Sequence, residues 1–264
     1  MVEQLKLGDS FFYDINGFEF KVFVELFNGE LSLSLVLCSC YRGSSILEIP
    51  ATIKNVAVKT IDTHSIILRC NYIKFPKDII IYSTIHSLCP NIEFTTLQDF
   101  YNNASKIRNN ISNGTQLLIN GTVIEYLLMP TSIWLINWKF NILDFRRVEN
   151  LSQIHLEFCK INKIVNTDKI TILPPQFDVG NYFESPLRFP NLTIIESHSV
   201  WVGRTIITTD KLVFIEQNAV KYLLTFAPLE KLQTYVITES NPIVYEQSSS
   251  YPIEIIKYEK NILP

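Results

Sequence analysis

The residues of this chain that could do chemistry do not fall into the spacings that catalysis or metal binding requires. The four histidines are far apart in sequence, and no Gly-x-Ser-x-Gly elbow, phosphate loop or Gly-rich dinucleotide turn occurs. Acidic residues such as Asp168 and Glu184 would meet only through the fold, so nothing favours a glycosidase pair. We therefore expect no enzyme activity, no cofactor and no metal site.

The cysteines give no clear metal or disulfide pattern. Zinc needs four ligands, which usually come as spaced pairs, and the Cys-x-Cys motif of this chain has no second pair. A disulfide within that motif would close a very small ring. We expect the five cysteines to be buried thiols that act as small apolar side chains: Cys38, Cys40, Cys70, Cys89 and Cys159.

Two tryptophans are a further candidate for ligand contact. Trp134 and Trp138 are four positions apart, so on a helix they would share a face, and if exposed they could stack on sugar rings. Large aromatic side chains more often fill a core. We therefore expect both to be packed inside the protein.

Composition excludes several kinds of partner. The net charge is −3 and the 23 lysines and arginines are scattered, so the chain has no basic stripe for nucleic acid. No window reaches about 18 uninterrupted apolar residues, so no membrane span is expected. The start of the chain includes an early acid and no apolar core, unlike a signal peptide. The sequence as written predicts a cytoplasmic protein, or a secreted or surface protein if a leader was removed.

The strongest regularity is a short run that ends in proline and recurs three times. In each run the positions one and three before the proline are apolar, and an isoleucine follows three positions after it. The runs are Ile46–Pro50, Tyr72–Pro76 and Tyr126–Pro130, and the second interval between their prolines is about twice the first. A recurring period in this range predicts a solenoid, in which each unit buries its face against its neighbours.

The segments around these runs predict mostly strands. Leu31–Leu37 alternates with period two, and Asn28-Gly29 before it is a strong hairpin turn, as is Asn120-Gly121 later. We predict an N-terminal hairpin cap over residues 1–45 and a repeat domain over 46–264.

One segment of the repeat domain has a different pattern. Thr96–Arg108 is the best helix candidate, because Leu97, Phe100 and Tyr101 would share a face. The polar residues that follow it predict a loop, so we expect a polar insertion near 100–116.

These elements resemble the BspA-like leucine-rich repeat proteins, whose repeat combines an apolar strand, Ile-Pro-x-x-Val/Ile and a later Cys-x-x-Leu element. The matching segments are Leu47–Ile53, Leu117–Val123 leading into Leu127–Ile133, and Cys89-Pro90-Asn91-Ile92. The N-terminal segment from Gly8 is also similar to the stretch that precedes the repeats in this family. The resemblance implies a divergent member: a β-rich solenoid with a leucine-rich-repeat-like parallel sheet and irregular connections. It also implies binding to other macromolecules, with adhesion at cell surfaces the usual proposal for relatives.

Strand alternation turns the three runs into a surface prediction. If the positions one and three before each proline point inward, those two and four before it point outward. Ile46, four positions before Pro50, is the first of these outward residues. Adjacent strands stack about 4.8 Å apart, so the outward residues would form columns on a sheet face. Aromatic anchors supply much of the energy at protein interfaces. The candidate protein-binding residues are Glu48, Tyr72, Lys74, Tyr126 and Leu128.

The sequence therefore predicts a non-catalytic module that binds another protein. The alternative is a β-rich structural subunit of a larger assembly, because high β propensity, 19% charged residues and no catalytic motif fit that function too. An enzyme with a β-helix fold is a third interpretation. The oligomeric state distinguishes the first two.

Overall fold

A computed structural model describes residues 4–40, 45–64, 66–174, 181–184 and 187–192, and beyond them the backbone of five short strands. The last part of the predicted repeat domain, from residue 193 to 264, otherwise lies outside the described residues. Two compact units are present. The first is Met1–Glu125 with Leu135–Lys139, and the second is Tyr126–Trp134 with Phe140–Pro264.

Short strands dominate the described chain. Those up to residue 125 are β1 (Ser10–Ile15), β2 (Phe18–Phe27), β3 (Glu30–Cys40), β4 (Ile46–Glu48), β5 (Thr52–Ile53), β6 (Val56–Asp62), β7 (Ile67–Leu68), β8 (Tyr72–Lys74), β9 (Ile80–Ile81), β10 (Ile85–Ser87), β11 (Asn91–Phe94), β12 (Ile107–Asn109), β13 (Thr115–Ile119) and β14 (Thr122–Val123). The others are β15 (Tyr126–Leu128), β16 (Ile133–Ile136), β17 (Trp138–Asp144), β18 (Ile154–Glu157), β19 (Lys160–Val165), β20 (Ile172–Leu173), β21 (Tyr182–Phe183), β22 (Leu187–Arg188), β23 (Ile194–Ile195), β24 (Ile207–Thr208), β25 (Phe214–Glu216), β26 (Tyr235–Thr238) and β27 (Ile255–Tyr258). The α-helix is α1 (Leu97–Asn103), and 3-10 helices cover Ala104–Lys106 and Leu151–Gln153.

The parallel sheets form a β-solenoid of about six turns, which confirms the prediction of a β-rich solenoid with parallel sheets. In the first unit β4, β8, β11 and β13 are consecutive parallel neighbours, and β7, β10 and β12 form a second parallel row. Turn length varies. Ile46 is paired with Tyr72, Tyr72 with Asn91, and Asn91 with Gln116. The middle pair is therefore separated by fewer residues along the sequence than the pairs before and after it.

The proline-terminated runs end strands for a visible reason. In each run the residue before proline donates the last ladder hydrogen bond, from Ile49 to the Lys74 carbonyl, from Phe75 to Glu93 and from Met129 to Asp144, each at 2.9 Å. The proline that follows has no N–H, so the ladder stops there. The predicted inward positions are confirmed as buried: Leu47, Ile49, Ile73, Phe75, Leu127 and Met129.

The N-terminal segment is an antiparallel meander that joins the first unit. β1 pairs with β2, β2 with β3, and β3 lies parallel to β6. Asn28 and Gly29, at φ 52° and 83°, join Phe27 to its partner Glu30, as predicted for a two-residue hairpin turn. Ser32 and Ser34 in β3 are also buried, so both faces of this strand are covered.

The helix is shorter than predicted. α1 begins with a capping box between Thr96 and Asp99 and ends at Asn103, and Ile107–Asn109 forms β12 instead of a last helical turn. Two of its polar side chains bond the preceding turn. Asp99 accepts from the Asp78 amide, and Asn103 accepts from Ile81 and donates to the Ile79 carbonyl, at 2.9 to 3.0 Å. At this position, side chains of the helix form hydrogen bonds with backbone groups that would otherwise bond to a neighbouring strand.

The core of the first unit contains a chain of aromatic rings. Phe75 stacks on Phe94 at 5.0 Å between centroids, Phe94 contacts Phe100 at 5.9 Å, and Phe100 meets Trp138 edge to face at 5.2 Å. Trp138 is fully buried, as expected. The expectation of burial was wrong for Trp134 in the second unit, which is 38% exposed and lies beside the His155 ring.

In the second unit β15 pairs in parallel with the end of β17, and β19 pairs with β21. The backbone of β20, β23, β25, β26 and β27 forms a parallel row with a regular register. Ile172 is paired with Ile194, Ile194 with Phe214, Phe214 with Val236, and Val236 with Ile256. These steps along the sequence are nearly equal in length. The repeat is therefore most regular in this row.

Candidate functional site

The structure divides the predicted outward residues between two clusters. In the first unit Ile46 lies beside Tyr72, and Glu48 beside Lys74, on adjacent parallel strands. Tyr126 and Leu128 belong to the second unit, where their strand pairs with β17. Ile46 and Tyr126 are each 46% exposed, and Glu48 is exposed as well. Tyr72, Lys74 and Leu128 are half-buried.

The Tyr72 cluster consists of Glu48, Tyr72, Lys74 and Glu93. The hydroxyl of Tyr72 donates to the Glu93 carboxylate, whose side chain is only 5% exposed. Lys74 Nζ lies 3.0 Å from Glu48 Oε1 and 3.8 Å from Glu93 Oε1, between the two carboxylates. Three successive strands, β4, β8 and β11, thus contribute one connected row of side chains.

Electrostatics fix the protonation of this row. Burial, and then the hydrogen bond and charge of Glu93, raise the pKa of Tyr72 above its ordinary value, so the hydroxyl stays a donor. The hydrogen bond to Glu48 raises the pKa of Lys74 and keeps the ammonium charged. The cluster therefore combines a neutral tyrosine donor with a charged lysine beside Glu48 and Glu93.

The Tyr126 cluster consists of Tyr126, Asp144, Arg146 and Asn166. The fully buried Asp144 carboxylate accepts from the Tyr126 hydroxyl, from Arg146 Nε at 2.6 Å and from Asn166 Nδ2 at 2.7 Å. It also accepts from the Arg146 amide at 2.9 Å, while Arg146 Nη2 donates to the Tyr126 oxygen at 2.7 Å. One buried charge thus holds an exposed tyrosine and an exposed arginine together.

The buried acid of this cluster is ionised. Burial acts to raise the pKa of Asp144, but hydrogen bonds from Arg146, Tyr126 and Asn166 outweigh it and lower that pKa well below the ordinary range. The same carboxylate raises the pKa of Tyr126, chiefly through its hydrogen bond. Arg146 and Asp144 balance each other in charge.

The two clusters share one geometric rule. Tyr72 is paired with Asn91 and bonds Glu93, two positions farther along β11. In β15, Tyr126 is paired with Ile142 and bonds Asp144, two positions farther along β17. In both cases a tyrosine four positions before a proline reaches diagonally to an acid on the adjacent parallel strand.

The sequence predicted Glu48 but not the other acids of these clusters, nor the arginine and the asparagine: Glu93, Asp144, Arg146 and Asn166. The separation in sequence between tyrosine and acid is larger for Tyr72 than for Tyr126, because the turns between the paired strands differ in length. The only sequence signal was an acid two positions past the strand partner, and that partner is known only from the register.

The cysteines match the expectation in part. Cys70, Cys89 and Cys159 are buried thiols, as predicted. The prediction was wrong for Cys38, which is exposed, and for Cys40, which is half-buried, because both lie near the end of β3.

The described part of the chain contains neither a metal-binding cluster nor a membrane-spanning helix. Among these residues, no group of three or more His, Cys, Asp or Glu side chains is placed to hold a metal ion. Within the same part of the chain, no helix has the length and apolar character to cross a membrane. No protein-family model, curated protein or solved structure matches the chain.

Proposed function

We propose that this protein is a non-catalytic module that binds another protein through its outward strand positions. The observation that carries the proposal is the Tyr126 cluster, in which Tyr126 is 46% exposed and the Arg146 side chain 59% exposed. Tyrosine and arginine are enriched among the residues that dominate interface energies.

Preorganisation supports the same proposal. A partner that contacts Tyr126 and Arg146 meets side chains already held by the buried Asp144, so less side-chain entropy is lost on binding. In the Tyr72 cluster the hydrogen bond to Glu93 and the ion pairs of Lys74 restrict the contact residues in the same way.

We further propose that the turns are divergent leucine-rich repeats of the BspA-like type, preceded by a hairpin cap. Support comes from the buried apolar positions of the Ile-Pro-x-x-Ile motif, including Leu47, Ile49 and Ile53. Support for the cap comes from the parallel pairing of β3 with β6, which attaches the meander to the first turns. Adhesion-type binding to a protein is what this resemblance implies.

The test is quantitative capture from native extract by the tagged full chain. We expect the Tyr72→Ala/Tyr126→Ala double variant to capture at least about tenfold less partner than the wild type. A tenfold loss of affinity corresponds to about 1.4 kcal/mol of binding free energy. The matched control is Tyr82→Ala, since Tyr82 is 56% exposed but lies outside both clusters. Capture by the double variant equal to that of the control would contradict the proposal.

A second pair of variants tests whether the shape of the Arg146 side chain matters in addition to its charge. Arg146→Lys keeps a cation but loses the planar fork that bonds Asp144 and Tyr126 together. We expect it to weaken capture, whereas Arg147→Lys, a change at the exposed neighbouring position, leaves capture unchanged.

The structural-subunit function is favoured by exposed apolar side chains of the N-terminal meander. Phe12, Tyr13 and Leu26 of the N-terminal meander are 64%, 37% and 56% exposed, and β1 lies at a sheet edge. Edge strands with apolar side chains are sites of assembly. Light scattering after size exclusion tests this function, because a monomer at all concentrations argues against an obligate assembly.

A further inference from the structure

Two cysteines face each other across adjacent turns of the first unit. Where β7 pairs with β10, Leu68 lies opposite Ser87, and where β8 pairs with β11, Tyr72 lies opposite Asn91. The paired residues are the same number of positions apart in both cases. Cys70 and Cys89 lie between these pairs and are separated by that number of positions as well. The Leu88 amide donates to the Leu68 carbonyl at 2.8 Å, so the register continues past the end of β10.

The strand register is compatible with the geometry of a disulfide between these residues. Adjacent parallel strands lie about 4.8 Å apart. Disulfides span Cα separations of about 4.4 to 6.8 Å. The equal register places Cys70 and Cys89 opposite each other on adjacent turns. Both are buried, at 7% and 0% exposure, so they share one environment.

We propose that Cys70 and Cys89 form a redox-active dithiol that is oxidised to an inter-turn disulfide by low-molecular-weight disulfides such as oxidised glutathione. Among the described cysteines this is the pair that the register stacks face to face. Cys38 and Cys40 lie two positions apart on one strand, and a bond between them would close a very small ring.

The two thiols have different roles in the reaction. The neighbouring Cys89 thiol lowers the pKa of Cys70, while the Cys70 thiol, together with burial, raises the pKa of Cys89. Cys89 Sγ also lies 3.1 Å from the Asn91 carbonyl oxygen, an acceptor for its proton. Cys70 is also the more exposed of the two thiols, at 7% against 0%, so Cys70 is the attacking thiolate and Cys89 the resolving thiol.

The reaction is a two-step exchange. The Cys70 thiolate attacks one sulfur of oxidised glutathione, forms a mixed disulfide and displaces one glutathione thiolate. Cys89 then attacks the Cys70 sulfur and displaces the second glutathione thiolate. The two protons of the protein thiols pass to the two glutathione thiolates, so two protein thiols are oxidised and two glutathione thiols are formed.

The test is thiol mapping of the full-length chain. After incubation with oxidised glutathione, remaining thiols are alkylated and the protein is digested with trypsin. We expect a disulfide-linked pair of peptides 70–74 and 78–106, which follow from cleavage after Arg69, Lys74, Lys77 and Lys106. Alkylation of all five cysteines, or linkage of any other pair, would overturn the proposal.

Single variants test the order of attack. We expect Cys89→Ser to retain glutathione on Cys70 as a trapped mixed disulfide, and Cys70→Ser to leave Cys89 unmodified. Thermal unfolding of the wild-type chain adds an independent readout, with a rise in Tm of about 5 °C on oxidation that dithiothreitol reverses. Equal glutathione on both variants, or no change in Tm, would argue against the assigned roles and the inter-turn bond.

Discussion

The hydroxyl of Tyr126 donates to Asp144, which lies two positions past the strand partner of the tyrosine on the adjacent parallel strand. The same diagonal contact joins Tyr72 to Glu93. An outward tyrosine of the proline-terminated run is thus held by an acid on the paired strand, and a cation completes each cluster. The sequence predicts separate outward side chains, whereas the structure joins these tyrosines to other side chains by hydrogen bonds in the Tyr72 cluster and the Tyr126 cluster.

Replacing Asp144 by Asn should destabilise the second unit. The change removes the buried charge that holds Arg146, Tyr126 and Asn166, while the volume of the side chain is kept. We expect a loss of about 1–3 kcal/mol in the free energy of unfolding, measured by urea denaturation. The control is Asp168→Asn at an exposed position, expected within about 0.5 kcal/mol of the wild type.

The same carboxylate should make stability depend on pH in the acid range. The folded-state pKa of Asp144 lies below the ordinary value of 3.8, so its stabilising effect is complete above that value. The effect is lost as the pH falls toward the lowered folded-state pKa. We expect the difference in unfolding free energy between the wild type and Asp144→Asn to shrink between about pH 5 and pH 2. A difference that grows on acidification would be the opposite of this expectation.

Replacing Tyr72 by Phe should have a measurable cost without a change in shape. The variant removes one donor from Glu93, a carboxylate that is almost fully buried. We expect destabilisation by about 1 kcal/mol in chemical denaturation. Tyr82→Phe, at an exposed tyrosine, is the matched control and should leave stability unchanged. Equal effects of the two variants would mean that the contact with Glu93 contributes nothing.

The aromatic core of the first unit should depend on the helix. Phe100 is fully buried and joins Phe94 to Trp138. We expect Phe100→Ala to cost about 3–5 kcal/mol and to change the fluorescence of Trp138. Gln98→Ala, at an exposed position of the same helix, should remain within about 0.5 kcal/mol of the wild type. A small effect of Phe100→Ala would show that the helix is not part of this core.

Local chemistry made part of the fold predictable. The alternation before each proline predicts which side chains are buried, because a strand has a period of two and the proline ends its ladder. The Asn28-Gly29 and Asn120-Gly121 turns have the positive φ angles that two-residue hairpins require.

Long-range register made the rest unpredictable. Which acid meets Tyr72 or Tyr126 depends on the length of the intervening turn, and that length differs between the two clusters. The end of α1 depends on the pairing of Ile107–Asn109 with β10, which helical periodicity does not report. Trp134 is exposed because it occupies an outward position of β16 rather than a helix face.

If the outward clusters contact another protein, site-specific photo-crosslinking in native extract will capture that partner at the Tyr126 cluster. A benzophenone amino acid would be placed at position 147, which is exposed beside the Tyr126 cluster, and in a second protein at position 82. We expect a discrete protein adduct from position 147, absent from position 82 and lost when Tyr126→Ala is added. Adducts from position 82 alone, or adducts from position 147 that persist in the Tyr126→Ala variant, would show that the Tyr126 cluster is not the contact surface.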